Sequence, residues 1–194
     1  MPPKTIFSRE DVIVAALELV KKSGFRDFSA RRVAEELKSS TAPVYSCFSS
    51  MEELKTEVLA RAEAIMLDYS MRPYTGSVFL NMGTGLALFA GEERELFRAL
   101  LLEGGETADM FEHFIHALEQ ELDRDELVSQ LPVPDRKGVM RRMAIFTYGY
   151  ATLIHNGMFE KVDRGRIIKT MLETGRDVID AALRRAGINA HNTE

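Results

Sequence analysis

Apolar residues recur along almost the whole of this chain at the spacing of one face of an α-helix, and no segment sustains the alternation expected of a strand. That pattern restricts the chain to an all-α fold. The first stretch is the clearest: from Ser8 onward Val12, Ala15, Ala16, Leu19 and Val20 share one stripe, Ser8 can cap the N-terminus with Asp11 three residues on, and Gly24 offers a left-handed exit. Ser29 caps a second, short helix whose Val33, Ala34 and Leu37 face inward and which stops near Lys38. A third helix over 41–47 turns Val44 and Phe48 inward and leaves Thr41, Ala42, Tyr45 and Ser46 outward. Pro43 is tolerated there, because amides in a first turn have no intrahelical acceptor to lose. Ser50 and Glu53 form a capping box for a longer fourth helix, with Leu54, Val58, Ala62, Ile65, Met66 and Tyr69 on one stripe, ending before Arg72 and Pro73. Five further helices are expected at about 78–90, 92–103, 107–122, 136–156 and 164–186, with Gly or Pro at most joints.

Length and composition narrow the class. With 194 residues, 45% of them apolar, the chain can bury a core without covalent staples, and its one cysteine, Cys47, forms no intramolecular disulfide, which points to a reducing compartment. No apolar signal segment follows Met1, and the most apolar stretch, 144–154, is interrupted by Thr147, Tyr148, Gly149, Tyr150 and Thr152 and falls short of the ~20 residues that span a bilayer. A cytoplasmic protein without membrane association is expected. The net charge of −5 is unevenly spread: residues 1–61 hold ten basic and nine acidic side chains, and the remainder holds fifteen and twenty-one. The acidity therefore lies in the second part, and the first is left free to meet a polyanion.

Three short helices with a tight turn between the second and third match a helix-turn-helix, in which the later helix enters the major groove. The residues at these positions are distinctive. Ala16-Leu17-Glu18-Leu19 leading to Gly24-Phe25, then Phe28-Ser29-Ala30-Arg31-Arg32-Val33-Ala34, Pro43-Val44-Tyr45-Ser46-Cys47-Phe48 and Met51-Glu52-Glu53-Leu54 together resemble the N-terminal domain of the tetracycline-repressor (TetR) family, over about 8–60. The resemblance implies that Ser29 caps its helix against a DNA phosphate, with Ala30 and Arg31 at the groove edge. It places Ser40, Thr41, Ala42 and Pro43 against base edges and Tyr45, Ser46 and Cys47 against backbone and flanking bases. Hydroxyls and helix N-termini suit phosphate oxygens, and small side chains admit thymine methyl groups. Two positions depart from the family pattern. Lys38 stands where a turn glycine is usual, and a left-handed conformation would cost it on the order of 1 kcal/mol unless the turn differs, or Lys38 serves as a phosphate contact. Met51 stands where a lysine is usual, which removes one backbone contact and makes the salt dependence shallower.

The same resemblance implies three parts: a DNA-binding domain at 1–50, a connecting helix at 51–72 and an effector-binding and dimerisation domain at 73–194. Pairing through the last two helices would use Val139, Met143, Tyr150 and Leu153 together with Ile168, Met171, Leu172, Ile179 and Ala182, whose spacing suits nearly parallel packing. A homodimer would bind a near-palindromic operator of double-stranded DNA. Met66, Phe79, Met82, Phe89, Phe97, Met110, Phe111, Phe114, Met143 and Phe146 supply aromatic and thioether surface for a small apolar effector, or else a solid core in a constitutive DNA-binding regulator. Effector binding is expected to move the fourth helix and so change the separation of the reading heads. His113 and His116 lie three apart among acids, but no third ligand follows, so no metal is assigned. Phosphate loops, Gly-x-Ser-x-Gly, His-Glu-x-x-His and paired cysteines do not occur, and neither enzyme chemistry nor a cofactor is expected.

Overall fold

The computed structural model describes residues 7–103, 114–159 and 163–188, and every regular element among them is helical. In chain order these are α1 (Arg9–Ser23), α2 (Ala30–Glu36), α3 (Ala42–Cys47), α4 (Met51–Met71), α5 (Val78–Glu92), α6 (Arg94–Phe97) with a π turn at Arg98–Leu102, α7 over 114–119, short 3-10 turns at Leu122–Arg124 and Val128–Gln130, α8 (Val133–His155) and α9 (Arg164–Arg185). By internal contacts they divide into two units, one containing residues 7–65 and 93–103 and the other the remaining described residues. The α6 segment thus groups with the N-terminal helices, although the sequence alone assigns it to the later part.

In the first unit α1 packs on α2, α3 and α6. Val12, Ala16 and Val20 are fully enclosed and Leu19 nearly so, each large side chain contributing about 1.5–3 kcal/mol of apolar burial. Both ends of α1 are fixed as its sequence dictates. Ser8 Oγ accepts from Asp11 N at 3.2 Å while Asp11 Oδ2 accepts from Ser8 N at 2.8 Å, and Gly24 leaves the helix at φ 67°. The α6 region is not a regular helix: Glu103 N donates to Arg98 O at 3.0 Å, five residues back. A wider turn lets the consecutive Ala99, Leu100 and Leu101 all point inward beside Leu96 and Phe97, which a 3.6-residue turn cannot do.

The turn between α2 and α3 carries a lysine at its left-handed position. Lys38 has φ 53°, the one positive value outside glycine among the described residues. Ser39 N donates to Ala34 O at 2.9 Å and Lys38 N to Glu35 O at 3.1 Å, the double bond of a Schellman C-cap whose left-handed residue is normally Gly. Replacing it should relieve that strain, with part of the gain lost to the greater freedom of glycine in the unfolded chain. Lys38→Gly is expected to raise stability by about 0.5–1 kcal/mol in a urea titration, and a loss of stability would show that this turn is shaped otherwise.

In the second unit α5 is the central helix, packed against α8 and α9, which also pack on each other. Eleven of its fifteen residues are buried, from Phe79 to Ala90. α8 starts at Val133, three residues earlier than its apolar period suggests, because Pro132 and Pro134 fit the first turn. Asp163 Oδ1 caps α9 by accepting from Arg166 N at 2.8 Å.

Candidate nucleic-acid interface

The outer face of α3 is what the sequence leads one to expect. Val44 and Phe48 are buried, Ala42 and Ser46 are exposed, Thr41 and Pro43 are half-buried, and Tyr45 projects with 62% of its surface open to solvent. A tyrosine this exposed gains nothing from a core, so its ring and hydroxyl are available to a partner. Ser40 is exposed at the start of the same face, and Ser46 Oγ donates to Pro43 O at 2.9 Å. Cys47 is turned partly away: its Sγ lies 3.9 Å from Phe7 O, and its thiol is half-buried. Of the positions assigned to DNA, Cys47 is half-buried and Ala30, at 6% exposed, is the one enclosed by its own chain, where its methyl group cannot reach a groove edge.

What holds α3 in place is a residue that sequence pattern does not single out. Arg9 Nη1 donates to Cys47 O at 2.9 Å and to Glu53 Oε1 at 2.9 Å, Nη2 donates to Glu57 Oε1 at 2.8 Å, and the guanidinium lies 4.1 Å from the centre of the Phe48 ring. One side chain of α1 therefore ties the last carbonyl of α3 to α4. Partners 38 to 48 residues away carry no local signal.

Glu53 completes the tie. Ser50 Oγ accepts from Glu53 N at 3.1 Å, as expected, but the carboxylate reaches Ser49, accepting from its N at 2.8 Å and its Oγ at 2.6 Å. The box is displaced by one residue because Glu53 must also face Arg9. The hydroxyl and amide of Ser49, followed by Arg9, hold the Glu53 carboxyl at about 2, below its ordinary 4.5. A depressed carboxyl stabilises the fold above its unfolded value and loses that contribution as pH falls through the folded value. Stability lost on acidification between about 4.5 and about 2 should therefore shrink in Glu53→Gln, which would be less stable than the parent at neutral pH and converge with it near the lower limit. Parallel pH-dependent melting curves for the two proteins would contradict this.

On α2, Ser29 Oγ accepts from Arg32 N at 3.4 Å and Ala30 is buried beneath it. Arg31 and Arg32 share Glu35: Nε of Arg31 lies 3.3 Å from Oε1 and Nη1 of Arg32 lies 3.0 Å from Oε2. The Arg31 side chain is 86% exposed, so this pairing is weak and easily exchanged for a phosphate. Lys38 is exposed at the turn.

The expected effector residues separate into groups. Phe79, Met82, Phe114 and Met143 line one cavity of the second unit, together with Gly83, Leu86 and Thr147. Met66 and Phe89 are fully enclosed core residues that do not line it, Phe97 is enclosed in the first unit, and Phe146 faces an outer groove. Met110 and Phe111 lie outside the described residues. Of the residues expected to pair two copies, Val139, Met143, Tyr150, Met171, Ile179 and Ala182 are buried within their own chain. Ile168 and Leu172 are half-buried, and Leu153 is 38% exposed. The apolar row that α8 presents outward is Ile145, 71% exposed, and Leu153, with Gly149 between them and Phe146, Phe159, Arg166 and Thr170 alongside. Of the two histidines considered for metal, His113 lies outside the described residues, and His116 is exposed with Nε2 3.2 Å from Gln120 Nε2. No helix of the described residues is long and apolar enough to cross a membrane.

Residues 12–58 match the model of the bacterial regulatory proteins of the tetR family. No protein with a curated description is matched by the sequence. Among solved structures, the chain is similar to a tetR-family transcriptional regulator from Streptomyces coelicolor, at 17% identity over 91% of this chain and 82% of that one, with a TM-score of 0.71. It is likewise similar to a TetR family protein from Vibrio parahaemolyticus, at 17% identity over 88% and 97% of the two chains with a TM-score of 0.61. A TetR-like transcriptional regulator from Rhodococcus sp. RHA1 follows at 16% identity over 91% and 96%, with a TM-score of 0.52. At such identities the structures speak for the fold, and the specific signal lies in the segment that carries α1 to α3. Residues 12–58, which carry most of α1, all of α2 and α3 and the start of α4, match the tetR-family model, and the chain shares the fold of these TetR-family structures.

Proposed function

We propose that this regulator binds a near-palindromic operator as a homodimer, represses from it, and leaves it when a small apolar molecule enters the second unit. The observation that carries the DNA reading is the face of α3, where an exposed Tyr45 stands beside Thr41, Ala42 and Ser46 on a helix clamped from behind by Arg9. Two such helices on one face of a duplex sit about 34–36 Å apart, which sets the half-site spacing. The homodimer reading is supported by the exposed row Ile145, Gly149, Leu153 on α8, since apolar side chains that open to solvent favour burial against a second copy. A regulator of this kind acts where the chromosome is, in the cytoplasm.

A constitutive regulator is the second reading, and the observation in its favour is the tightness of the second unit, whose internal cavity measures only about 30 Å³. The test is selection of bound sequences from random duplexes, followed by titration of the complex with candidate effectors. An enriched palindrome with half-sites one helical turn apart supports the proposal, and an unenriched pool overturns it. A complex that no apolar compound dissociates favours the constitutive reading.

The electrostatics of α2 give a further expected result. Glu35 neutralises Arg31 and Arg32 and adds a negative charge near the phosphates. Glu35→Gln should tighten operator binding about two- to fivefold, and the slope of log affinity against log salt should steepen by about one for each arginine freed. Unchanged slope and affinity would remove both arginines from the interface.

A further inference from the structure

The outward face of α3 lacks the side chains that read purines. In the major groove guanine is specified by a bidentate Arg or Lys, adenine by a bidentate Asn or Gln, and cytosine by an accepting Asp or Glu. From Ser39 to Ser50 the chain holds none of these residue types. The charges that flank this run belong to other elements, Lys38 to the turn and Glu52 to α4. Arg9, which reaches α3 from behind, is engaged with Cys47 O, Glu53 and Glu57. The hydroxyls on this face discriminate little. Ser46 gives its hydrogen to Pro43 O at 2.9 Å and is left able only to accept, while Thr41 and Tyr45 each offer one group that both donates and accepts, so a single bond from either fits several base edges. What remains is carbon: the methyl of the exposed Ala42, Cγ2 of Thr41 and the ring of Pro43, the last two residues half-buried.

Resting on the operator-binding reading above, we infer that α3 selects its half-site through the C5 methyl groups of thymine, met by Thr41 Cγ2, the Ala42 methyl and the Pro43 ring, and not through paired hydrogen bonds to a purine. Thymine is the one base with a carbon substituent on its major-groove edge, so apolar contact alone tells it from the other three. Such contact needs no donor and gains by releasing water from both surfaces. The exposed Arg31 and Lys38 then supply affinity for phosphate that is indifferent to sequence.

The test uses the full chain and the operator selected from random duplexes, with each thymine of the half-site replaced in turn, in both halves, by deoxyuridine. That base keeps the pairing and the O4 acceptor and lacks only the methyl. At one or two positions the replacement should weaken binding about five- to twentyfold, whereas 7-deazaguanine, which lacks the N7 acceptor, should change it by less than about twofold at any guanine. Ala42→Gly and Thr41→Ser remove methyl groups from the protein. At least one of them should bind the thymine duplex about three- to tenfold more weakly and lose nothing further on the deoxyuridine duplex, a coupling that impaired folding does not produce. A selected half-site without thymine, indifference to deoxyuridine at every position, a loss above about tenfold on removal of a guanine N7, or variants that weaken both duplexes alike or neither would each overturn the inference. An enriched palindrome that is indifferent to deoxyuridine sinks this inference and leaves the operator reading standing, whereas an unenriched pool takes both down.

Discussion

Gly85→Ala should strip this protein of a large part of its stability. A Cβ at Gly85 of α5 would lie 2.1 Å from Tyr69 O and 2.5 Å from Ser70 Cα, on the last part of α4. Both obstacles are backbone, so no rotamer change can clear them and the helices must move apart. Separation would open contacts around Leu86, Ala87, Phe89 and Ala90, all among the most enclosed residues of the chain. Overpacking of a rigid core costs typically 1–3 kcal/mol and more where the backbone itself must shift, and here about 4 kcal/mol or more is expected, against a net stability of about 5–15 kcal/mol. The same substitution at Gly149, exposed on α8 with nothing within 4 Å of the added carbon, should instead stabilise by roughly 0.5–1 kcal/mol. Circular dichroism during urea titration reads both, and a Gly85→Ala protein as stable as Gly149→Ala would mean that α4 and α5 do not approach as described.

The second large effect is expected at Asp125. This carboxylate is 2% exposed and accepts four hydrogen bonds: Oδ2 from Ser77 Oγ at 2.6 Å and Phe79 N at 3.0 Å, Oδ1 from Leu127 N at 3.1 Å and Val128 N at 3.0 Å. It thereby caps the start of α5 and organises the 3-10 turn at Val128–Gln130, two segments nearly fifty residues apart in the chain. Asp125→Ala would strand those donors away from water. Each stranded buried group costs about 1–3 kcal/mol, though some regain water as the loop relaxes, so a loss of about 3–5 kcal/mol is expected in the urea midpoint and slope. Asp125→Asn retains one accepting oxygen and should lose roughly half as much. Equal behaviour of the Ala and Asn proteins would show that acceptance of these bonds is not what the side chain contributes.

These two positions also mark the border of what the sequence discloses. Helices α1 to α5, α8 and α9 are legible because each carries its own apolar period and its own caps, such as Ser8 with Asp11, Ser29 and Gly24. The outward set Thr41, Ala42, Tyr45 and Ser46 is legible for the same reason, since the inward Val44 and Phe48 fix the rotation of α3. Asp125 reads in sequence as one acid among many, because its partners Ser77 and Phe79 are brought to it only by the fold. Arg9 is hidden in the same way, and so is the π turn after α6, where Ala99, Leu100 and Leu101 crowd one face. The stripe of α8 illustrates a different limit. An apolar period reports that a face is buried and is silent on whether its own chain or a second copy covers it. Here Val139, Met143 and Tyr150 are covered by their own chain, and the row left outward, Ile145 with Leu153, is too short to stand out as a period. At Lys38 the residue type leaves open a reshaped turn or a phosphate contact, and the left-handed geometry is the one adopted, with its strain tolerated.

The account rests on α3 reading a duplex, and the most direct measurement is the affinity of the full chain for its selected operator and for a scrambled duplex, with and without Tyr45→Ala combined with Thr41→Ala. Neither side chain is enclosed, so melting should be nearly unchanged. Loss of base and backbone contacts worth about 1–2 kcal/mol each should weaken operator binding roughly thirty- to a thousandfold while scrambled DNA changes little. Operator affinity and preference identical to the parent protein would contradict the central claim.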